Sequence, residues 1–358
     1  MNARTTLLTI SCSLTMASLP LYASVSDDYQ RCLLHKITTV PPDTTVEQLQ
    51  ELCTPQPSVI QRFTEASPHN SKHTTDNDNL NDIDTTKSES ELFDNRRRVE
   101  IATRNELFVI SPHKPNYFLP ISYSFENPTL PVGDKRLDLD KTEFQFQVSL
   151  KFPVITNLFS DGDSVYVAYT NQSWWQAYHK DISSPFREVN HEPEIFYNMS
   201  TDYDLFGMRV RSLQLGLSHQ SNGRGGELSR SWNRIYASIL LEKDNFYIGF
   251  KPWWRLKEDK KKYPGAADGD DNPDITDYLG YGELTMFYKF QNDHAINVMI
   301  RNNLRAENKG ALQLGWSFPL TTRLRGYIQY FSGYGESLID YDNYVNRLGI
   351  GIMLTDWL

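Results

Sequence analysis

The sequence predicts an all-β protein, a twelve-stranded antiparallel transmembrane β-barrel. Three observations carry that prediction. Apolar residues recur at every second position through much of residues 100–358, the period of a strand with one oily side. Aromatic residues make up 13% of the chain, with 20 Tyr against 18 Phe and 7 Trp. Several of them sit at the ends of alternating segments, where a ring with a polar tip bridges oil and water. Mean hydropathy is −0.53, and no apolar run reaches the ~18 residues of a spanning helix. The formal charge of −9 excludes a nucleic-acid binder, which needs a basic stripe to displace counterions.

The chain opens with a stretch that reads as a signal peptide over residues 1–23. Arg4 provides the positive start, Leu7, Leu8, Ile10, Leu14 and Met16 the apolar middle, and Leu21-Tyr22-Ala23 the cleavage end. An N-terminal extension, residues 24–99, follows. Its two cysteines, Cys32 and Cys53, most simply pair as a disulfide in an exported protein. Ser67 to Glu91 is dominated by Ser, Thr, Asn, Asp, His and Lys. Such a stretch has little to bury against its ordering entropy and reads as a disordered linker. Arg96-Arg97-Arg98 closes it as a solvated charge cluster.

Residues 100–358 hold the barrel. Phe144, Phe146, Val148, Leu150 and Phe152 alternate with Gln145, Gln147, Ser149 and Lys151. The same rhythm runs through Ile296 to Arg301, Leu312 to Phe318, Leu324 to Tyr330, and Arg347 to Leu354. Twelve such segments start near residues 117, 143, 164, 191, 206, 231, 244, 277, 294, 310, 324 and 345. An even count fits an outer-membrane barrel, as do short turns at one end and longer loops at the other. The short turns are Lys243-Asp244, Gln291 to His294 and Thr321-Thr322. A soluble sandwich would also alternate. The aromatic groups Trp174-Trp175, Trp253-Trp254, Tyr278 to Tyr281 and Trp357 at strand ends favour the membrane, as interfacial belts.

One segment puts chemistry on the oily face. Leu213, Leu215 and Leu217 share a parity that continues to His219 and Ser221. Across the next hairpin, Ile235, Ala237, Ile239 and Leu241 share theirs with Asn233. Pairing the two strands brings a nucleophile, a base and an orienting amide together on the outside, the logic of a hydrolase triad. The bland alternative is that these polar residues lie beyond the oily band at a loop mouth. The loop Asn222 to Arg230 carries Gly223, Gly225 and Gly226, which let backbone amides approach a ligand or an oxyanion.

Two stretches, Ser218-His219-Gln220-Ser221-Asn222-Gly223-Arg224 and Ser229-Arg230-Ser231-Trp232-Asn233-Arg234, closely resemble the signature of bacterial outer-membrane phospholipase A. Further matches are Gln172 to Gln176, Ser183 to Glu188, Asp271 to Ile275 and Ser332 to Tyr341. The resemblance covers most of residues 100–358 but not residues 24–95. It implies a twelve-stranded barrel in the bacterial outer membrane that hydrolyses phospholipids and lysophospholipids, uses Ca2+, and is active as a homodimer. It implies phospholipase A1 and A2 activity through Ser221 as nucleophile, His219 as general base and Asn233 as orienter. Oxyanion donors would come from Ser221 and Gly223. Calcium ligands would be the Arg224 carbonyl and Ser229 of one subunit and Ser183 of the other, oxygen donors that suit a hard cation.

Two departures from the family pattern stand out. Asn171 occupies the position of a longer dimer-interface Gln, and the chain ends in Leu358 where an aromatic residue is usual. Asp268, Asp270, Asp271, Asp274 and Asp277 lack the spacing and terminal Glu of an EF-hand and read as a solvated loop. Tyr334, Glu336 and Asp340 read as structural or interface residues rather than catalytic ones. The competing function class is a non-enzymatic porin or lipid-transport channel, in which His219 and Ser221 would be incidental.

Overall fold

The computed structural model describes residues 110–355, apart from 133–134, 182, 264, 267 and 322–323. The expected signal peptide, the Cys32–Cys53 pair, the linker, Arg96 to Arg98, Trp357 and Leu358 lie outside the described residues. The chain enters through a two-residue strand, β1 (Ser111–Pro112), and the first stave, β2 (Asn116–Ser124). A side ribbon follows, β3 (Thr129–Val132) with β4 (Lys135–Asp138). The next staves are β5 (Thr142–Thr156), β6 (Ser164–Trp175), β7 (Phe186–Leu205), β8 (Met208–Ser221), β9 (Ser231–Lys243) and β10 (Phe246–Leu256). A short helix, α1 (Ile275–Leu279), precedes β11 (Gly282–Lys289), β12 (Ala295–Asn302), β13 (Gly310–Pro319), β14 (Arg325–Tyr334) and β15 (Tyr344–Thr355).

Each stave pairs antiparallel with its neighbour, β15 returns to β2, and the result is a closed barrel of 12 strands. Closure leaves no free sheet edge, the condition for strands to cross a bilayer. Two expected starts move by several residues. β7 begins at Phe186 rather than near 191, because Arg187, Glu188 and Asn190 pair inside the barrel and extend the strand. β11 begins at Gly282 rather than near 277, because Ile275 to Leu279 turn as α1 and bury Ile275 and Leu279.

The barrel is polar inside and oily outside. Glu143, Gln145, Ser149, Glu192, Glu194, Asn297, Gln329 and Arg347 are buried, while Leu150, Phe152, Ile296, Leu312, Ile350 and Leu354 are exposed. Charges inside are held in pairs, the condition for keeping them from water. Glu143 bridges Arg187 and Arg347, each at 2.8 Å, and Glu336 joins Arg347 at 2.8 Å. Lys114 meets Glu192 at 2.6 Å and Glu194 at 3.3 Å, while Lys251 meets Glu194 at 3.0 Å.

The aromatic belt is thinner than the sequence suggests. Trp254 and Tyr281 are exposed, but Trp174 and Trp253 point inward and are buried. Adjacent residues on a strand must face opposite ways, so each Trp-Trp pair supplies one ring to either side. Trp253 joins Trp232, Tyr236, Phe196, Leu279, Leu338 and Tyr341 in an interior cluster, against which Tyr278 packs. Both β8 and β9 reach the long-loop end beside that cluster, and the triad candidates sit on their outer faces.

Candidate active site

Register assembles the site. β8 and β9 place His219 opposite Asn233 and Ser221 opposite Ser231, while β7 places His191 opposite Ser221. Directly opposed residues share a face. That face is the outer one, because Leu215, Leu217 and Ile235 of the same parity are exposed. His219, Ser221 and Asn233 are thus brought together on the exterior, at the loop end of the oily stripe.

The hydrogen bonds fix which ring nitrogen meets the amide. His219 Nδ1 lies 2.8 Å from Asn233 Oδ1. An amide oxygen only accepts, so Nδ1 is the donor, and in the neutral ring Nε2 is then the acceptor. The other end of the amide, Asn233 Nδ2, donates to Glu258 Oε1 at 2.8 Å. Among the described residues no hydrogen bond joins Ser221 Oγ to His219. Such contacts are often long in resting enzymes and tighten with substrate.

The inner face of the hairpin supports the outer one. Trp232 is fully buried; its Nε1 donates to Gln220 at 2.8 Å, and the Arg234 guanidinium lies 4.1 Å from its ring centroid. Arg234 pairs in turn with Glu192 at 2.7 Å. The strand ends that carry His219, Ser221 and Asn233 are therefore anchored from inside.

The 222–230 loop is stapled by a residue that sequence reasoning passed over. Asn222 is buried; its Nδ2 donates to the Leu228 carbonyl at 2.8 Å, and its Oδ1 accepts from the Arg230 amide at 3.0 Å and the Arg224 amide at 3.3 Å. Gly223 has φ +64°, and a Cβ there would meet only the His191 ring, at 3.7 Å. His191 is a second missed neighbour. Its Nδ1 lies 2.6 Å from Tyr169 Oη and 3.5 Å from Asn171 Nδ2. Asn171 itself sits on β6, opposite His191 in register, and its Oδ1 accepts from Ser173 Oγ at 2.9 Å. Only cross-strand register shows these proximities, and β7 starts earlier than its hydrophobic pattern suggests.

The residues assigned to calcium divide. Ser229 Oγ donates to Asp271 Oδ2 at 2.8 Å, and Ser231 Oγ reaches the same oxygen at 3.0 Å. The Lys261 ammonium pairs with the other Asp271 oxygen. Asp271 is therefore part of this cluster rather than a solvated loop residue. Burial works against its charge, but hydrogen bonds from Lys261, Ser229 and Ser231 hold its carboxyl below the usual carboxylate range. Two hydroxyls and a carboxylate are donors that suit calcium. Arg224 anchors its guanidinium on the Phe186 and Arg187 carbonyls and faces Glu188 at 3.3 Å. Ser183 lies exposed on the 176–185 loop and, among the described residues, makes no hydrogen bond to Ser229 or Arg224. Among the described residues no group of three or more His, Cys, Asp or Glu is placed to hold a metal.

The remaining shared loop is structural in its contacts. Asp340 accepts from Ser337 Oγ at 2.7 Å and pairs with Arg187, while Tyr334 lies 5.3 Å from the Tyr278 ring.

Comparison with known proteins agrees with this architecture. The phospholipase A1 family profile matches residues 93–354. The Klebsiella pneumoniae protein named phospholipase A1 is 38% identical over 250 residues, 70% of this chain and 83% of that protein. The Escherichia coli K12 phospholipase A1 is 38% identical over 250 residues, 70% of this chain and 82% of that protein. Outer membrane phospholipase A from Escherichia coli superposes with a TM-score of 0.62 at 33% identity, covering 72% of this chain and 98% of that one. The Salmonella typhi outer membrane phospholipase, a dimer with bound calcium, gives a TM-score of 0.63 at 33% identity, covering 72% of this chain and 97% of that one. An active-site Asn-to-Ala variant of the Escherichia coli protein superposes equally, at 0.62. By profile, identity and barrel alike, the chain is an outer-membrane protein that belongs to the phospholipase A1 family.

Proposed function

We propose that this chain is a calcium-dependent phospholipase that cleaves acyl esters at the first and second positions of membrane glycerophospholipids, and also lysophospholipids. The observation that carries the reading is the His219–Asn233 hydrogen bond of 2.8 Å beside Ser221 on the lipid-facing surface. A barrel wall is where a phospholipid presents its ester, so the substrate reaches this site from the bilayer without entering the lumen. Family membership and the named activity of the relatives support the substrate class.

His219 Nε2 accepts the Ser221 hydroxyl proton as Oγ attacks the ester carbonyl carbon. The Nδ1–H bond to Asn233 Oδ1 keeps the imidazole turned and supports the imidazolium that forms. A neutral Asn in that role leaves no full charge desolvated against lipid. The Gly223 amide is the proposed donor to the tetrahedral oxyanion, together with that of Ser221. Collapse of the intermediate returns the proton from His219 to the departing glycerol oxygen and leaves an acyl-Ser221 ester. A water deprotonated by His219 then releases the fatty acid.

The cluster of Ser229, Ser231 and Asp271 fits calcium in donor chemistry, with the Arg224 carbonyl and a partner subunit's Ser183 as further oxygens by resemblance. Calcium bound there would add positive charge beside the developing oxyanion. Lys261 pairs with the same carboxylate. The dimer contact proposed at Asn171 lies on the same outer face. The same reading takes residues 1–23 as a signal peptide, 24–99 as an extension closed by a Cys32–Cys53 disulfide, and 100–358 as the catalytic barrel.

The test is ester release from phospholipid micelles by the refolded protein, with calcium and with chelator. Ser221→Ala is expected to abolish turnover while the barrel keeps its shifted migration in unboiled detergent gels. Hydrolysis at the wild-type rate by the folded Ser221→Ala protein refutes the mechanism.

A further inference from the structure

Asn233 alone does not determine which of its ends faces His219. Carboxamide oxygen and nitrogen have nearly the same shape, and a half turn exchanges an acceptor for a donor. With Oδ1 toward His219, the ring keeps its proton on Nδ1 and Nε2 is a base. With Nδ2 toward it, Nδ1 must accept, the proton moves to Nε2, and the base is lost. Something must hold the amide in the productive sense.

Glu258 is placed to do so. It lies two residues beyond Leu256, whose register partner across β10 and β9 is Asn233. Trp254 and Leu256 are exposed on the outer face, and Glu258 continues their parity as the strand gives way to the loop. Its Oε1 accepts from Asn233 Nδ2 at 2.8 Å. A carboxylate accepts only, so the nitrogen of Asn233 must face Glu258 and the oxygen must face His219, as the 2.8 Å contact to Nδ1 requires.

Resting on the proposed hydrolase reading, we propose that Glu258 is a positioning residue of this site, selecting through the Asn233 amide the His219 tautomer that can accept a proton. The arrangement is a line of three hydrogen-bonded side chains drawn from β8, β9 and the end of β10. It also polarises the amide. An anion at the N–H end makes the oxygen end a better acceptor, which helps most once His219 carries positive charge. The full charge stays at the loop, two residues beyond the strand, and only the neutral amide reaches toward the lipid-facing ring. Glu258 does not touch the ester, so its effect falls on turnover and not on lipid binding.

The experiment measures kcat and KM on full-length protein for Glu258→Ala, Asn233→Ala and the double variant, with Ser221→Ala as the control for the hydrolase reading. Glu258→Ala should lower kcat on the order of tenfold with KM unchanged, the low end of what a hydrogen bond to a charged group contributes. In the Asn233→Ala background it should cost nothing further, because its only route to His219 is gone. A second pair reverses the polarity of the bond. Asn233→Asp alone should be impaired, since two carboxylates then face each other. Adding Glu258→Gln, whose amide can donate to the new Asp, should restore kcat to within a fewfold of wild type. The proposal is overturned if Glu258→Ala leaves kcat unchanged, if its loss is as large without Asn233, or if the reversed pair stays as impaired as Asn233→Asp. Should Ser221→Ala remain active, the hydrolase reading fails instead, and the two failures are told apart.

Discussion

Asn233 uses both ends of one amide, and Gly223 uses the one conformation that a side chain resists. The triad candidates were legible in the sequence because His219 and Ser221 extend the parity of Leu213, Leu215 and Leu217, and Asn233 that of Ile235. Glu258, His191 and Asp271 were not, since their proximity depends on register with strands and loops remote in sequence. For Gly223 the φ of +64° sets the requirement, not space, as a Cβ would meet only the His191 ring at 3.7 Å. Left-handed backbone costs an L-residue about 1–2 kcal/mol, and relaxing it would swing the amide away from the proposed oxyanion position. Gly223→Ala is therefore expected to cut kcat by about tenfold or more, the scale of that strain, with little change in KM. Gly225→Ala, at a glycine with open space around it and φ of −107°, should stay within about twofold, because it meets neither strain nor contact. Equal losses in the two variants, measured side by side, would remove Gly223 from the oxyanion role.

Among the elements, strands with one oily face were readable and the aromatic assignments were not. Period-two alternation located the staves, whereas β7 and β11 began elsewhere because buried polar pairing and α1 override the hydrophobic pattern. The turn between β5 and β6 shows how a polar residue sets an element's end. Asp163 accepts from the amides of Leu158 at 2.6 Å, Phe159 at 2.9 Å and Ser160 at 2.9 Å, and from Tyr197 Oη at 2.8 Å. Burial works against its charge, but these bonds hold its carboxyl below the usual carboxylate range. A carboxylate with a depressed folded value stabilises above its unfolded pKa, and that contribution is lost as pH falls through the folded one. The turn should thus be intact at neutral pH and loosen only in acid more extreme than the usual carboxylate range. Hydrogen exchange at the Leu158, Phe159 and Ser160 amides should accelerate there. Asp163→Ala should show the faster exchange already at neutral pH, with catalysis unaffected because this turn is at the opposite end of the barrel from the site. Unchanged protection in Asp163→Ala would show that the turn is held by its backbone alone.

For the whole molecule, the question is what covers the outer face around the site. Tyr169, Ile195, Leu215, Leu217 and Ile235 are exposed there, on β8 and β9, which carry His219, Ser221 and Asn233, and on the two staves before them. Lipid chains satisfy such a surface in a single copy, and a second copy satisfies it equally while forming a groove along which acyl chains can lie. In the proposed site one subunit contributes Ser229, Ser231, Asp271 and the Arg224 carbonyl. That is fewer oxygens than the six to eight calcium takes, and one carboxylate oxygen already faces Lys261. A partner's Ser183, a ligand by resemblance, would add another oxygen, so calcium should bind the dimer more tightly than the monomer. Linkage then requires that calcium tighten the dimer by the same factor. Cross-linked dimer and activity should therefore rise together across a calcium titration and fall together with chelator. Asn171→Gln, whose longer amide reaches further from the β6 face, should move both curves to lower calcium by an equal ratio. Full activity in a strictly monomeric, chelator-treated sample would break the coupling, and so would a calcium midpoint that does not depend on protein concentration.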